Sequence, residues 1–393
     1  MFAVLSRVRA LWTVFMVLLA GLVLAACEPG TGSPSAGGTS RNDGTPVAVA
    51  LLVPGGSGDS NDNFIASSLE NAARLAIADL GGVKIDLRVY NTQGSPAEAA
   101  VMATKAADDG AKIILGPFFA LEANAVGAAV AARKIEVLSF SNNPDVAGGN
   151  VFILGQTFDT TARRLASYAV SKGLTRIMVI NDPDPAGTIG GNAIQRAIGA
   201  SGGQVAAVGT YEFSQDGIVK AVASLAASAK SSNANALFLT ADTAGALPLL
   251  TQLLKENGVD PASTQFIGLA RWDIPAATLA LPGVQGGWFA LPDPGPNQQF
   301  QQRYAAAYGG APPIYAGFAY DGIAAIGAIA KRGGSNALTA ASLTQGAGFV
   351  GVNGIFRLRS DGTTDRGLAV AQIQNNQLVI VDPAPSSFGG AGF

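Results

Sequence analysis

Residues 113–124, IILGPFFALEAN, and residues 137–143, VLSFSNN, are the stretches that decide the fold. Each begins with a short apolar run and ends in small or polar residues, and the first leads directly into a helical pattern. A buried strand followed by such a turn is the place where α/β proteins usually hold ligands. The two stretches therefore predict neighbouring parallel strands whose carboxyl ends form a binding edge.

The same strand-and-helix pattern occurs along the chain from Pro46 onward. Apolar strands that alternate with amphipathic helices predict a doubly wound α/β fold with parallel sheets. The alternation restarts after residues 150–156, NVFILGQ, which predicts two Rossmann-like lobes with a central crevice. Residues 351–383 contain the turn sequences SDGTTD and QNNQ and are predicted to form hairpins.

These patterns divide the chain into five parts. The predicted parts are a signal peptide (1–26), a flexible tether (27–45), a first lobe (46–155 and about 293–345), a second lobe (156–292 and about 346–382) and a loose tail (383–393).

The N-terminus has the layout of a secretory signal peptide. Arg7 and Arg9 precede an apolar run of 14 residues, and the sequence LAAC follows at residues 24–27. A transmembrane helix that ends in an incidental cysteine is the alternative, but it needs about 20 apolar residues. LAAC resembles a bacterial lipobox, which predicts a lipid on Cys27 and a periplasmic location. Because Glu28, and not an aspartate, follows the cysteine, the outer membrane is favoured over the inner membrane.

Composition excludes several classes of function. The chain has no histidine, which excludes histidine-based triads and histidine metal ligands, and its single cysteine excludes a disulfide framework. It has neither a GxGxxG sequence at a first strand–helix turn nor a Walker sequence, so no cofactor is expected. The net charge of −2, without a basic patch, argues against nucleic-acid binding. We therefore do not expect an enzyme.

Longer stretches of the chain resemble a known family. They are ILGPFF, VLSFSNNPD, GQTFDTTARRLASYAVSKGLTRIMVINDPDPAG and IYAGFAYDGIAAI. Together with the order of elements, they resemble the type I periplasmic binding proteins of the leucine/isoleucine/valine-binding class over about residues 47–381. Within that class the chain is most similar to the lipoproteins known as penicillin-binding-protein activators. The resemblance implies two lobes that close around a small ligand.

The resemblance also implies a set of ligand-binding positions. In amino-acid-binding members the first lobe supplies a serine near Ala120 and small or hydroxyl residues near Ser141 and Asn143. In the second lobe the implied positions are Ala186, where the family has an aromatic residue, and Ala241 or Asp242. The acid that holds the ammonium group in the family falls at Arg271 or Trp272. The last implied position is Tyr315, a hinge-side aromatic residue. Because the serine and the acid are both replaced, a free branched-chain amino acid is not expected as the ligand.

The residues of the two opening stretches have two interpretations each. Phe118 and Phe119 either form the wall of a ligand pocket or pack in the core of the lobe, because strand ends commonly carry apolar residues. Ser141, Asn142 and Asn143 either donate hydrogen bonds to a ligand or form a turn in which their side chains bond their own backbone.

Arg271 and Trp272 follow the apolar run QFIGLA and are expected at the mouth of the crevice. An exposed tryptophan beside an arginine is suited to stacking on a sugar or ring, with ordinary packing as the alternative. Arg271 could pair with an anionic ligand. The free N–H groups of the helix that begins near Ala120 could also attract an anion, although Glu122 in its first turn would oppose one.

Two further groups of polar residues have structural interpretations. Asp182 and Asp184 in NDPDPAG resemble the start of a calcium loop, but prolines interrupt it and no glutamate occupies the twelfth position. A loop between a strand and a helix is therefore predicted there, and no metal. Asp242 or Thr243 is predicted to cap a helix over residues 243–257.

Two functions fit these predictions. The favoured one is a lipid-anchored protein of the penicillin-binding-protein activator type, which acts in cell-wall synthesis by contacting a peptidoglycan synthase. The alternative is a solute-binding protein that delivers a small polar or anionic ligand, such as an amino acid, to the permease of an ABC transporter. A secreted hydrolase is not expected, because the chain has neither histidine nor a nucleophile motif.

Overall fold

The computed structural model describes residues 44–389. The predicted signal peptide, the predicted lipid attachment at Cys27 and most of the predicted tether lie outside the described residues. Between residues 44 and 389, no helix is both long enough and apolar enough to cross a bilayer.

The described residues form 15 β-strands. They are β1 (Val47–Val53), β2 (Ile85–Asn91), β3 (Ile113–Leu115), β4 (Glu136–Ser139), β5 (Val151–Ile153), β6 (Arg176–Asn181), β7 (Gln204–Thr210), β8 (Ala236–Leu239), β9 (Gln265–Gly268), β10 (Trp288–Pro292), β11 (Phe349–Gly351), β12 (Gly354–Leu358), β13 (Thr364–Arg366), β14 (Leu368–Gln374) and β15 (Gln377–Asp382).

The same part of the chain forms ten α-helices. They are α1 (Ser60–Asp79), α2 (Pro96–Asp108), α3 (Ala120–Val130), α4 (Phe158–Ser171), α5 (Pro185–Ala200), α6 (Gln215–Ser231), α7 (Leu247–Glu256), α8 (Pro294–Tyr308), α9 (Ala316–Gly333) and α10 (Ala340–Leu343).

The first lobe is built on a parallel sheet with the strand order β2-β1-β3-β4-β5. Successive residues of β1 point to opposite faces of this sheet. Val49 and Leu51 pack in a core that also contains α1 and α9, whereas Ala50 and Leu52 pack in a core that contains α2 and α3. All four side chains are fully buried. A strand covered on both faces must be apolar throughout, which explains the unbroken apolar run of β1.

The turn within the opening stretch requires its glycine. Gly116 has a φ of +96°, a conformation that side-chain-bearing residues rarely adopt. A Cβ atom at this position would also overlap the carbonyl oxygen of Leu52 in β1. Gly116 therefore allows the chain to leave β3 in close contact with the neighbouring strand.

The second lobe has a larger sheet with the order β15-β14-β10-β9-β8-β6-β7. Strands β6–β10 are parallel, and β14 pairs antiparallel with β10 and with β15. Met178 and Ile180 of β6 pack with α6 and α7 on one face, and Ile177 and Val179 pack with α4 and α5 on the other. This lobe therefore repeats the three-layer arrangement of the first.

A small antiparallel sheet of β11, β12 and β13 lies close to the connection between the lobes. Phe349 and Phe356 of this sheet pack in the first-lobe core, and the chain joins the second sheet at β14. The amide of Ile153 in β5 donates a hydrogen bond to the carbonyl of Gly362 in the β12–β13 turn (2.9 Å). The small sheet is thus tied to the end of the first sheet.

The two large sheets, the first parallel and the second mainly parallel, confirm the predicted two-lobed, doubly wound α/β fold. The predicted hairpins of residues 351–383 are confirmed as β12–β13 and β14–β15. The exact boundaries of the two lobes stay a prediction.

Three local predictions are wrong. The sequence GGSGDSND (55–62) predicts a loop before a helix through SSLENAARLAIADL, but helix α1 already begins at Ser60, because the side chain of Asp59 accepts the amide of Asn61 and starts the helix earlier. The helix predicted over residues 243–257 begins only at Leu247. The sequence GVQGGWFALPDPGP (283–296) predicts a proline-rich crossing, but its residues 288–292 form the buried strand β10.

Candidate ligand-binding site

The strand orders identify the edge of each sheet where doubly wound proteins usually hold a ligand. In the first sheet β1 lies between β2 and β3, and in the second β6 lies between β7 and β8, so the winding direction reverses beside β1 and beside β6. Ligands of doubly wound sheets bind at the carboxyl ends of the strands at such a reversal.

Two groups of loops follow these strand ends, and we name each group for its lobe. The first lip consists of residues 116–120 and 140–143, which follow β3 and β4. The second lip consists of residues 182–186, 240–243 and 269–274, which follow β6, β8 and β9. Apart from Tyr315, every predicted ligand-binding residue lies in one of the two lips.

The first lip has an aromatic surface. The ring of Phe118 lies 5.2 Å from that of Phe119 and 5.1 Å from that of Tyr315, both in edge-to-face geometry. All three rings are half-buried, and Phe118 also packs against the first-lobe core. Of its two interpretations, core packing is thus confirmed for Phe118, whereas a role as the wall of a ligand pocket stays a prediction; Tyr315 reaches Phe118 from the start of α9.

The N-terminus of α3 is occupied by its own carboxylate. Glu122 is fully buried, and its carboxylate accepts the amide of Phe119 (3.3 Å) and the hydroxyl of Thr92. Burial raises the pKa of Glu122, and the two hydrogen bonds offset part of that rise. Ala120, the first residue of α3, is half-buried beside this carboxylate. The helix start is therefore not arranged to receive an anion.

The polar residues of the first lip bond mainly to one another. The hydroxyl of Ser141 accepts the amide of Asn143 (3.1 Å), and the side chain of Asn143 accepts the amide of Asp145 (2.9 Å). Asn142 is exposed, and no hydrogen bond of its side chain occurs within residues 44–389. The turn interpretation thus describes Ser141 and Asn143, whereas Asn142 retains its full hydrogen-bonding capacity.

The second lip gathers carboxylates around a buried aspartate. Asp182 is only 8% exposed, and it accepts a hydrogen bond from the hydroxyl of Tyr211. Its amide donates to the hydroxyl of Thr240 (2.8 Å), which joins the ends of β6 and β8 at the reversal point. Burial, together with the negative charges of Asp184 and Asp242, raises the pKa of Asp182 to about 6. An added positive charge would stabilise the ionised form of Asp182.

The remaining second-lip candidates differ in exposure. Asp242 and Ala186 are exposed, and Ala186 lies in the first turn of α5. The prediction that Asp242 or Thr243 caps a helix is wrong, because α7 begins at Leu247. The hydroxyl of Thr243 instead donates to the carbonyl of Ile274 (2.6 Å), which links the loops after β8 and β9.

Of the two interpretations of Trp272, ordinary packing is confirmed and the exposed stacking tryptophan is wrong. The side chain of Trp272 is completely buried in the second-lobe core. Its ring lies against Gly268 and Gly287, where any Cβ atom would overlap it. The two glycines leave a flat space between β9 and the segment before β10, and the indole fills that space.

Arg271 already has an anionic partner in its own loop. Its Nε donates to Asp273 (2.9 Å), and a second guanidinium nitrogen contacts the other oxygen of the same carboxylate. This bidentate pair is largely buried, at 25% and 12% side-chain exposure. Arg271 is therefore less available to an anionic ligand than the sequence suggested.

A cavity of about 280 Å³ connects the second lip with segments around α8. Arg271 and Ile274 line it from the second lip, and Gln301 and Ile314 line it from α8 and the loop before α9. The structure thus brings Arg271 close to the segment that leads into Tyr315.

The buried Asp182 and its partner Tyr211 were not predicted as part of the candidate site. Sequence reasoning treated Asp182 as an ordinary loop residue and did not consider Tyr211, its hydrogen-bond partner. The available signal was an apolar strand that ends directly in Asn-Asp, because the carboxyl end of such a strand lies at the binding edge. Among the described residues, no three histidine, cysteine, aspartate or glutamate side chains are grouped to hold a metal ion.

Several solved structures share this fold. A protein assigned as a branched-chain amino acid ABC transporter from Rhodospirillum rubrum is 19% identical, with a TM-score of 0.74, over 86% of this chain and 100% of the other. An ABC transporter substrate-binding protein from Desulfitobacterium hafniense in complex with Leu is 19% identical, with a TM-score of 0.62, over 86% and 100%. A solute-binding protein of an ABC transporter from R. palustris in complex with benzoate is 18% identical, with a TM-score of 0.57, over 88% and 99%.

At these identities the structures establish the fold and not the ligand. No curated protein matches the chain. A family model described as periplasmic binding protein matches residues 46–377, which is most of the sequence. This match, the two doubly wound lobes and the loops at their strand ends lead to one conclusion. The chain belongs to the periplasmic binding protein family, with the type I fold.

Proposed function

We propose that this protein is the substrate-binding component of an ABC transporter and that its crevice holds a small polar solute that carries an amine. The observation that carries the proposal is the group of carboxylates at the ends of β6 and β8. Asp182, Asp184 and Asp242 lie close enough for the latter two charges to affect the ionisation of the first.

The electrostatics of the second lip favour a cation. Burial and the two neighbouring negative charges disfavour the charged form of Asp182, which raises its pKa to about 6. A bound ammonium group would reverse this effect, because an opposite charge within about 4–6 Å favours the charged form of a carboxylate. The anionic ligand that the sequence suggested has less support, because Asp273 already neutralises Arg271.

Exposed apolar side chains flank both lips. Phe64, Leu121 and Ile314 are exposed near the strand ends of the first lobe. In the second lobe, Ile189, Phe213 and Ile274 are exposed in the corresponding loops and first helical turns. Closure of the lobes around a ligand would cover such surfaces, which are costly to leave in water.

The transport function has more support than the activator function that the sequence favoured. The similar structures described above are transporter proteins, and two of them carry a small molecule in their names. The activator assignment rests on short sequence strings, and its partner, a peptidoglycan synthase, stays a prediction. Lipid attachment at Cys27 and outer-membrane location are likewise part of the proposal, within the periplasmic location typical of the family.

The test is a ligand screen followed by partner capture. The melting temperature of the purified protein is measured with amino acids, simple amines, carboxylic acids and muropeptides at saturating concentrations. We expect amine-bearing solutes to raise it and plain carboxylic acids to leave it unchanged. Immobilised protein loaded with the best solute should then retain a transporter permease from detergent-solubilised membranes. If no solute changes the melting temperature and a peptidoglycan synthase is retained, the transport function is wrong.

A further inference from the structure

Six arginines gather where α4 and the end of α5 face the small antiparallel sheet. They are Arg163, Arg164, Arg196, Arg357, Arg359 and Arg366. They line two adjoining cavities of about 320 and 310 Å³, which share Thr160, Arg163, Ala200 and Arg359. No residue of either lip lines these cavities, so they are separate from the proposed solute site. We name the pair of cavities the arginine pocket.

Two of the six arginines have structural roles. Arg366 and Asp321 form a completely buried ion pair at 2.7 Å. Arg164 is also buried, donates to the carbonyl of Leu368 (2.6 Å) and pairs with Asp382. Their charges are neutralised within the fold, and they form the floor of the arginine pocket.

A single carboxylate serves three further arginines. Asp365, whose side chain is 6% exposed, lies 2.7 Å from Arg163, 2.7 Å from Arg357 and 3.6 Å from Arg359. Burial alone would raise the pKa of Asp365, but the surrounding arginines outweigh burial and lower it. One negative charge therefore balances three guanidinium groups, and Asp361 adds only a long 3.5 Å contact to Arg359.

Many donor groups in the arginine pocket have no acceptor. The guanidinium of Arg359 makes two long ion pairs, and its side chain makes no hydrogen bond within residues 44–389. The hydroxyls of Ser167 and Ser201, which also line the pocket, have no hydrogen bond in the same part of the chain. Arg163 uses one guanidinium nitrogen for Asp365. The pocket therefore presents several N–H and O–H groups around an open space.

The five carboxylates that would oppose an anion here are all paired with arginines. Arg196 pairs with Asp159 at 2.8 Å, which neutralises that carboxylate. The carboxyl end of α5 also borders the pocket, but the amides of Ser201, Gly202 and Gly203 already bond its last carbonyls. With the five aspartate partners included, the six arginines leave a net charge of +1.

We propose that the arginine pocket binds a phosphate-bearing anion between Arg163, Arg357 and Arg359. The guanidinium fork matches the geometry of phosphate oxygens and donates two parallel hydrogen bonds. Asp365 is the one carboxylate that these three arginines share. Their unused N–H groups need further acceptors, and a phosphate group, which has more oxygen atoms than a carboxylate, would supply them. The volume lies at the lower end of the range of about 300–1,000 Å³ for small-molecule sites.

The bound anion would add a bridge between helix α4 of the second lobe and the small antiparallel sheet. Arg163 comes from α4, which packs on the second sheet, whereas Arg357 and Arg359 come from β12 and its turn, which are tied to β5 of the first sheet. A free phosphate compound and a phospholipid headgroup offer the same chemistry, and the test separates these two sources.

The test uses sodium pyrophosphate and vesicles with the purified protein. Calorimetric titration with pyrophosphate is compared with a titration with sodium chloride at matched ionic strength. General screening of exposed charges would give the same signal with both salts. Arg359→Gln should weaken pyrophosphate binding by about 10-fold or more, the usual effect of losing hydrogen bonds to a charged group. Arg133→Gln is the matched control, since Arg133 has similar exposure (40% against 45%) and an ion pair outside the pocket.

The vesicle arm identifies the source of the phosphate. Phosphatidylglycerol vesicles that bind the protein and are displaced by pyrophosphate indicate a lipid headgroup, whereas pyrophosphate binding without vesicle binding indicates a soluble compound. The proposal is overturned if pyrophosphate binds no better than matched chloride. It is also overturned if Arg359→Gln and Arg133→Gln bind the probes equally.

Discussion

One buried carboxylate, Glu122, lies directly beside the first lip, and another, Asp182, lies in the second lip; their surroundings are opposite. Glu122 in the first lobe is closed inside the fold, where Thr92 and the Phe119 amide satisfy it. Asp182 in the second lobe accepts a hydrogen bond from Tyr211 but has two further negative charges beside it. Glu122 therefore stabilises the start of a helix, whereas the ionised form of Asp182 would be stabilised by a bound cation.

The largest expected effect concerns Trp272, which belongs to the second lip by sequence but is buried in the core. Trp272→Ala should lower the free energy of unfolding by about 3–5 kcal/mol, because it empties a fully buried space between two glycines. Urea denaturation measures the change. A Trp272→Ala protein of unchanged stability that has lost ligand affinity would show instead that the indole contacts the ligand.

The second prediction compares the two buried carboxylates directly. Asp182→Asn should weaken binding of the best amine-bearing solute by about 10- to 100-fold, because the ammonium group loses its charged partner. Glu122→Gln is the matched control and should change the affinity by less than about twofold. Calorimetric titration of both variants measures the affinities. An equal loss of affinity in the two variants would contradict a specific role of Asp182 in binding the solute.

The third prediction concerns pH. The folded-state pKa of Asp182 is about 6, above its ordinary value of 3.8, so the stability that its protonated form contributes is present below about pH 4 and lost as the pH rises through 6. Asp182→Asn should therefore stabilise the unliganded protein by about 1–2 kcal/mol at pH 8, after allowance for solvent screening.

That gain should fade as the pH falls towards 4, and urea denaturation at several pH values follows it. Asp184→Asn provides the comparison, because it removes only one of the neighbouring charges and should give a smaller gain. A gain for Asp182→Asn that is the same at pH 4 and pH 8 would contradict the electrostatic explanation.

The smallest effect is expected in the first lip. Ser141→Ala should cost about 1 kcal/mol of stability, because the Asn143 amide loses its acceptor. Solute affinity should stay within about twofold, since the hydroxyl is already engaged within the turn. A tenfold loss of affinity would assign Ser141 to the ligand and make the first lip an equal partner in binding.

The fold was accessible from the sequence because its signals are local. The stretch IILGPFFALEAN contains a buried strand, a glycine that the turn requires and a helix start, and the structure reproduces each of them as β3, Gly116 and α3. Strand β10 escaped prediction because prolines and glycines flank it, and these residues usually mark a loop. Only pairing with β9 and β14 identifies it as a strand.

The site was less accessible because its properties depend on packing. Trp272 next to Arg271 gives no indication in the sequence that two glycines leave space for the ring in the core. The arginines of the arginine pocket are spread over residues 163–366, so no basic patch appears in the sequence. The burial that raises the pKa of Asp182 likewise exists only after folding.

The most direct test of the central claim compares solutes that differ only in the amine. The melting temperature of the protein is measured at pH 8 with a panel of amino acids, each paired with its deaminated carboxylic acid at the same concentration. We expect at least one amino acid to raise the melting temperature while its deaminated partner does not, and we expect Asp182→Asn to remove the difference. A deaminated acid that raises the melting temperature as much as its amino acid would contradict the role of the second-lip carboxylates.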